Sequence, residues 1–253
     1  MDFITVKGLI VKETDFNEAD KMLTIMTDSC GLIRAKASGI KSLKRKELSG
    51  AKPFLYSEFT LAQKGEYYSL REANILHSFL EIKNDLIHLA LGFYILDILN
   101  NIGMENQPNP SLLRLTLNTL FALNQKKKSP QLIKAAYEMK ISDIEGFTPH
   151  TFECMECGDE LEDAPFCYFN ILDGGILCKN CCQLTERNIL KISKNTVNAI
   201  NFILDSDIKN FLSFQLDEHS LAEFSMACER YFLTQSDFHP KTLDYYKKVM
   251  LSD

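Results

Sequence analysis

The sequence lacks the features that export, anchor or drive a protein. Its start, Met1-Asp2-Phe3-Ile4-Thr5-Val6-Lys7, has no basic flank followed by an apolar run, so no signal peptide is read there. The longest apolar stretch, Leu86 to Leu99, is broken by His88 and Asp97 and is too short to span a bilayer. A cytoplasmic protein with no membrane partner is the expectation. No Gly-Lys-Ser/Thr phosphate loop, no His-Glu-x-x-His helix and no Gly-x-Ser-x-Gly elbow occurs. No helix-turn-helix with a basic second helix stands out. With no site constellation of any of these kinds, the chain is expected to bind rather than to catalyse. Internal repeats and low-complexity tracts are also missing.

What is present is an ordinary globular composition. The chain has 253 residues, 45% of them hydrophobic, which is enough for one large core or two modest ones. The net charge is −6, a poor start for a nucleic-acid binder, but the charge is unevenly spread. Residues 1–80 carry twelve Lys and Arg against ten Asp and Glu. Within 31–64 eight basic residues face only Glu47 and Glu58.

Periodicity divides the chain near residue 80. Five short strands are expected at Phe3–Lys12, Lys21–Thr27, Leu32–Ser38, Phe54–Ala62 and Tyr67–Leu76, with turns between them. In the third, Ile33, Ala35 and Ala37 take one face, and Arg34, Lys36 and Ser38 the other. Five strands in this length suit a small OB-like barrel. From residue 81 the spacing turns helical. Leu86, Leu89, Ala90, Phe93, Leu96 and Leu99 mark a first helix ending near Gly103. A second is capped by Ser111, and a third runs from about Gln131 to Ile144. Helices also follow Ser193 or Asn195, and Asp217. The fold class is therefore α+β: a barrel domain at 1–80 and a mostly helical domain at 81–253, with a cysteine-bearing insertion at about 150–185.

Eight cysteines in a chain of this size with no export signal read as buried thiols or metal ligands rather than disulfides. Cys154-Met155-Glu156-Cys157 and Cys178-Lys179-Asn180-Cys181 are two C-x-x-C knuckles. Each knuckle can aim two sulfurs at one ion, and two knuckles make the closed four-thiolate shell of structural zinc. Gly158 follows the first, where a chain wrapping a metal needs a positive φ. Cys182 could stand in for Cys181, though the spacing favours Cys181. The alternative is buried thiols with no metal. Cys167 and Cys228 read as core thiols, Cys30 as a turn thiol and His150 as a packing or surface residue.

The basic segment supplies candidate nucleic-acid contacts. Arg34 and Lys36 share a strand face, and Lys41, Lys44, Arg45 and Lys46 follow in the next loop. A strand face beside a basic loop is how OB barrels hold single strands. A solvated charged loop is the plainer reading. Tyr67 and Tyr68 could stack on bases, but read first as packing residues. Lys126 to Lys128 reads as a solvated linker.

Several stretches taken in order resemble the RecO family. They are Gly8 through Thr24 with its Glu18-Ala19-Asp20 loop, Gly31 through Gly39, Pro53-Phe54, Gly146-Phe147-Thr148-Pro149, and Gly174-Gly175-Ile176-Leu177-Cys178. The resemblance covers nearly the whole chain, and beyond about Lys191 it lies only in helical character. It implies a recombination mediator of the RecF pathway, bacterial and nucleoid-associated. Such a protein binds single- and double-stranded DNA and anneals complementary strands. With RecR it helps load RecA onto DNA coated by single-strand-binding protein (SSB), whose acidic C-terminal tail it also binds. Carried over, the DNA contacts are Arg34, Lys36, Lys41, Lys44, Arg45 and Lys46. The ligands of one structural Zn2+ are Cys154, Cys157, Cys178 and Cys181. The competing non-enzymatic expectation is a zinc-stapled adaptor that binds only proteins.

Overall fold

Alternating side chains in the first 80 residues become five strands in a computed structural model describing residues 2–41, 46–65, 67–161, 164–182 and 188–252. These are β1 (Asp2–Asp15), β2 (Lys21–Thr27), β3 (Gly31–Ala37), β4 (Leu55–Lys64) and β5 (Tyr67–Ser78). They close into a barrel in the order β1-β2-β3-β5-β4. All neighbours are antiparallel except β3 and β5. Those two meet in parallel over a short register, Ala35 opposite Tyr68 and Lys36 opposite Ser69. This is the OB-like barrel expected from the pattern.

The inward positions are apolar and small enough to fill the barrel. Val6, Ile10, Leu23, Ile25, Ile33, Ala35, Phe59, Leu61 and Leu70 are buried together, with Leu48 among them. Leu48 ends a short 3-10 turn, Lys46–Leu48, and its neighbour Ala51 is buried in the same cluster. The chain between β3 and β4 therefore sends an apolar side chain back into the barrel. Ser42, Lys44, Arg45 and Glu66, which the sequence places in turns, lie outside the described residues.

A helix α1 (Leu86–Ile102) follows, begun by Asp85, whose carboxylate accepts from the His88 N–H, and closed at Gly103. The expected apolar stripe meets the true buried face at Ala90, Leu96 and Leu99 and departs from it elsewhere. Leu86 and Phe93 are exposed, whereas Leu91, Tyr94, Ile95 and Ile98 are buried. α1 packs against β1, against α2 (Pro110–Gln125) and against α6 (Lys241–Met250). Three neighbours cover a wider arc than a single stripe, and one of them comes from the far end of the chain. α2 is capped by Asn109 with Pro110 in the first turn, not by Ser111.

The remaining elements are α3 (Pro130–Ile144), β6 (Phe166–Asn170), β7 (Gly175–Leu177), β8 (Ile189–Ser193), α4 (Lys194–Asp205) and α5 (Glu218–Ser236). The strands form a sheet in the order β7-β6-β8. The sequence reading held only a cysteine cluster and a glycine pair there. The strands are three to five residues long, too short for alternation to register. α3 is buried from Leu132 to Ser142, charges included. Lys134 Nζ lies 2.8 Å from both Glu138 and Glu229, and Lys140 lies 3.0 Å from Asp143 and donates to the Leu204 carbonyl. Pairing is what lets those charges leave water.

By compactness the chain forms two units. One is Met1–Lys127 with Pro240–Asp253, and the other is Lys128–His239. The expected cut at residue 80 follows the change from strand to helix instead. No helix among the described residues is long and apolar enough to cross a membrane.

Candidate metal centre and nucleic-acid face

The first knuckle is a tight turn closed by backbone bonds. Gly158 N–H donates to the Cys154 carbonyl and Cys154 N–H to the Asp159 carbonyl, at 2.8 and 2.9 Å. Gly158 holds φ at +74°, which glycine adopts without strain. Met155 N–H donates to Ile176 at 2.9 Å and so fastens this turn beside β7. The second knuckle leaves β7 directly, and its Cys178 N–H points at Cys154 Sγ, 3.3 Å away.

The result is that Cys154, Cys157, Cys178 and Cys181 bring their sulfurs within 4.8 Å of one another. These four can hold one metal ion. Cys157 Sγ and Cys178 Sγ lie 3.9 Å apart, and all eight cysteines are free thiols. Cys182, the other thiol the second knuckle offers, is not in the cluster. His150 is also outside it, half-exposed with Nε2 3.5 Å from Glu153. Burial works against ionisation of Cys154. The N–H groups of Cys178, Cys157 and Glu156 outweigh that and bring its thiol down to about 6. Hydrogen bonds to Cys178 and Cys157 push the Cys181 thiol up. Away from the cluster, burial pushes Cys167 up to about 12 and raises Cys228 well above the usual thiol range. Those two are the core thiols the sequence suggested.

The second candidate site is the outer face of β1, β2 and β3. Register places Lys12, Thr24 and Arg34 in one cross-strand row, and Thr14, Met22 and Lys36 in the next. Lys12 and Arg34 are exposed, and their intervening neighbours Leu23, Ile33 and Ala35 point inward. Strands sit about 4.8 Å apart, so the two cations stand roughly 10 Å apart at the backbone. Lys12 was missed in sequence. Its outward position follows from alternation, but its nearness to Arg34 depends on a register that spans two strand pairings.

The structure also corrects the charge count. Within 31–64 only Glu47 and Glu58 oppose the basic residues, but in space three acids come from outside that window. Arg34 Nε pairs with Glu105 at 2.9 Å, Lys36 Nζ with Asp20 at 3.0 Å, and Lys41 Nζ with Asp15 at 3.0 Å. Glu105 arrives because residues 104–107 run along the start of β3. Leu32 N–H donates to Met104, and Gly31 approaches so closely that a Cβ there would lie 2.3 Å from the Gln107 carbonyl. The Arg34–Glu105 pair is mostly exposed on both sides, and such pairs contribute about 0–1 kcal/mol. Lys46 is exposed at the head of its turn, and Lys44 and Arg45 lie outside the described residues. Tyr67 is 82% exposed, whereas Tyr68 packs against the barrel core.

Two family models cover the chain almost end to end. Residues 1–79 match that of the recombination protein O N terminal region, and residues 83–244 match that of its C terminal region. The chain belongs to the RecO family. Among its relatives is the DNA repair protein RecO of Acetivibrio thermocellus, 32% identical over 249 residues and covering 98% of both chains. The DNA repair protein RecO of Dehalococcoides mccartyi strain CBDB1 is 29% identical over 253 residues, which is 100% of this chain and 98% of the relative. That of Caldicellulosiruptor saccharolyticus is 26% identical over 249 residues, 98% of this chain and 100% of the relative. In this family member the two matched segments adjoin where strand gives way to helix.

Proposed function

We propose that this RecO-family chain is a DNA repair mediator that works by binding and not by catalysis. The observation that carries the reading is the barrel face on which Lys12, Arg34 and Lys36 stand in two adjacent rows, in a chain of this family. A single strand laid across those rows would exchange condensed counterions for lysine and arginine, with little dependence on base sequence. Lys41, Lys44, Arg45 and Lys46 would extend the contact. The surface pairs with Glu105 and Asp15 would be exchanged for phosphate, while the buried Asp20 would stay as an anchor. The wider role has the chain binding single- and double-stranded DNA and annealing complementary strands. With RecR it would help RecA onto SSB-coated DNA, through contact with the SSB tail.

The metal we assign to the four-sulfur cluster is zinc. A tetrahedral shell with Zn–S bonds of about 2.3 Å sets sulfurs roughly 3.8 Å apart, which the Cys157–Cys178 separation fits. Cys154, Cys157, Cys178 and Cys181 would hold it, and four thiolates leave no position for water or substrate. Zinc there would supply a crosslink between the 154–157 turn and the chain leaving β7.

A second reading, a protein-binding adaptor with no DNA contact, draws on the ion pairs at Arg34, Lys36 and Lys41. Titrating a labelled single strand against salt separates the two. The mediator reading expects affinity that falls steeply with salt and ignores sequence. Replacing Lys44, Arg45 and Lys46 together by alanine should weaken binding without unfolding the chain. Lys12→Ala should lower the log–log salt slope by about one. A wild-type chain indifferent to DNA at moderate salt would favour the adaptor.

A further inference from the structure

The turn between β1 and β2 carries an acid where a DNA-binding face should least want one. Asp20 is buried, and its carboxylate is fully engaged. Oδ1 accepts the Gly39 backbone N–H at 2.8 Å, and Oδ2 accepts from Asn17 Nδ2 and from Lys36 Nζ, both at 3.0 Å. Gly39 lies in the chain leaving β3, nineteen residues further on. The same turn takes a second hold on that chain. Lys41 N–H donates to the Ala19 carbonyl, while Lys41 Nζ donates to the Asn17 carbonyl and pairs with Asp15. Asn17 in turn shapes the turn itself, since its Oδ1 accepts the N–H groups of Ala19 and Asp20. Lys36 is held from both sides, with its ammonium 4.8 Å from the centre of the Phe16 ring.

We propose that Asp20 is a positioning residue for DNA binding: its carboxylate clamps the exit of the chain from β3 and fixes the Lys36 ammonium on the barrel face. The proposal rests on the DNA-binding reading above. Its content is a sign. Asp20 is an anion beside cations meant for phosphate, so charge alone says that removing it should tighten DNA binding. The clamp says that removing it should weaken binding, because the basic chain that follows Gly39 loses one of its two ties to the β1–β2 turn and Lys36 loses its anchor. The Gly39 N–H, followed by Lys36 and Asn17, holds the Asp20 carboxyl below the usual carboxylate range, so the clamp persists at neutral pH.

The test is a salt series of binding to a labelled oligothymidine strand, using the full chain with its metal. The proteins are wild type, Asp20→Ala, Asp20→Asn and Glu105→Gln. Glu105 is exposed, pairs with Arg34 on the same face and takes no part in the clamp, so Glu105→Gln supplies the charge effect alone and should bind slightly more tightly. Asp20→Ala should bind about fivefold to tenfold more weakly, with a salt slope shallower by about one. Its thermal unfolding should stay near wild type, and hydrogen exchange at the Gly39 amide should speed up. Asp20→Asn, whose amide oxygen can still accept from Gly39, should bind at or modestly below wild type. Asp20→Ala binding as tightly as wild type or more tightly, with an equal or steeper slope, overturns the clamp while leaving the DNA reading intact. A wild-type chain that ignores the strand overturns both. If Asp20→Ala does not fold, Asp20→Asn decides by sign, because tighter binding than wild type leaves Asp20 as a mere mask over Lys36.

Discussion

The barrel and the cysteine-bearing sheet are both β structures, but they are held shut by different means. The barrel has five strands of seven to fourteen residues and closes on itself, leaving only the brief β3–β5 contact as a weak seam. Its closure is completed by apolar side chains, with Leu48 turned inward. The sheet of β6, β7 and β8 has three strands of three to five residues. Three such strands bury too little to stand alone, and here two thiol-bearing turns converge beside them. The lesson is one of size: a strand set that can enclose a core needs no crosslink, whereas the small sheet leans on α4 and α5 and has beside it a thiol cluster able to hold a metal.

The widest gap between the two regions should open when the metal is withdrawn. Structural zinc at four thiolates contributes on the order of 10 kcal/mol of apparent binding energy to folding. Cys154→Ser, or a strong chelator, should therefore melt the unit spanning Lys128–His239 while the barrel's β signal by circular dichroism survives. Metal analysis should find one zinc per wild-type chain and a strongly reduced amount in the variant. Equal loss of strand and helix signals would erase the contrast.

A smaller effect is expected from the charges the two regions carry. The barrel keeps its cations outside, whereas α3 buries Lys134 between Glu138 and Glu229. Lys134→Met removes the ammonium from between two acids, one of them the fully buried Glu138, at a cost of about 3–5 kcal/mol measurable in urea. Burial disfavours the Lys134 ammonium, but Glu138 and Glu229 outweigh burial and hold its pKa above the ordinary lysine value. A raised pKa gives stability that is fully present below the ordinary value and is lost only as pH climbs through the raised one. The contribution should therefore stay flat across neutral pH. The least costly of the three changes acts on the barrel. Leu48→Ala should cost about 2–4 kcal/mol, lowering the barrel's urea midpoint while the zinc bound per chain stays as in wild type.

Much of this was legible before any coordinates. The five strands were readable because half-buried strands must alternate, and β3 does so without a break. The knuckles were readable because two residues between thiols is a local geometric requirement. The α1 stripe was legible only in part, at Ala90, Leu96 and Leu99, because the helix's partners include α6, about 150 residues away, and no local window contains that fact. The strands of the small sheet escaped because three to five residues give no period to detect. On the barrel face, Arg34 and Lys36 were legible and Lys12 was not.

The sequence by itself determined the α+β order, the barrel's inward and outward residues, and the two thiol knuckles able to share an ion, since each depends on spacing within a few residues. Only the tertiary structure decided which acids sit against which cations, that Cys181 and not Cys182 joins the cluster, and that Asp20 ties Gly39. Those outcomes depend on register and on close approach between segments distant in sequence, and the energy of a charge or a hydrogen bond depends on its neighbours in space.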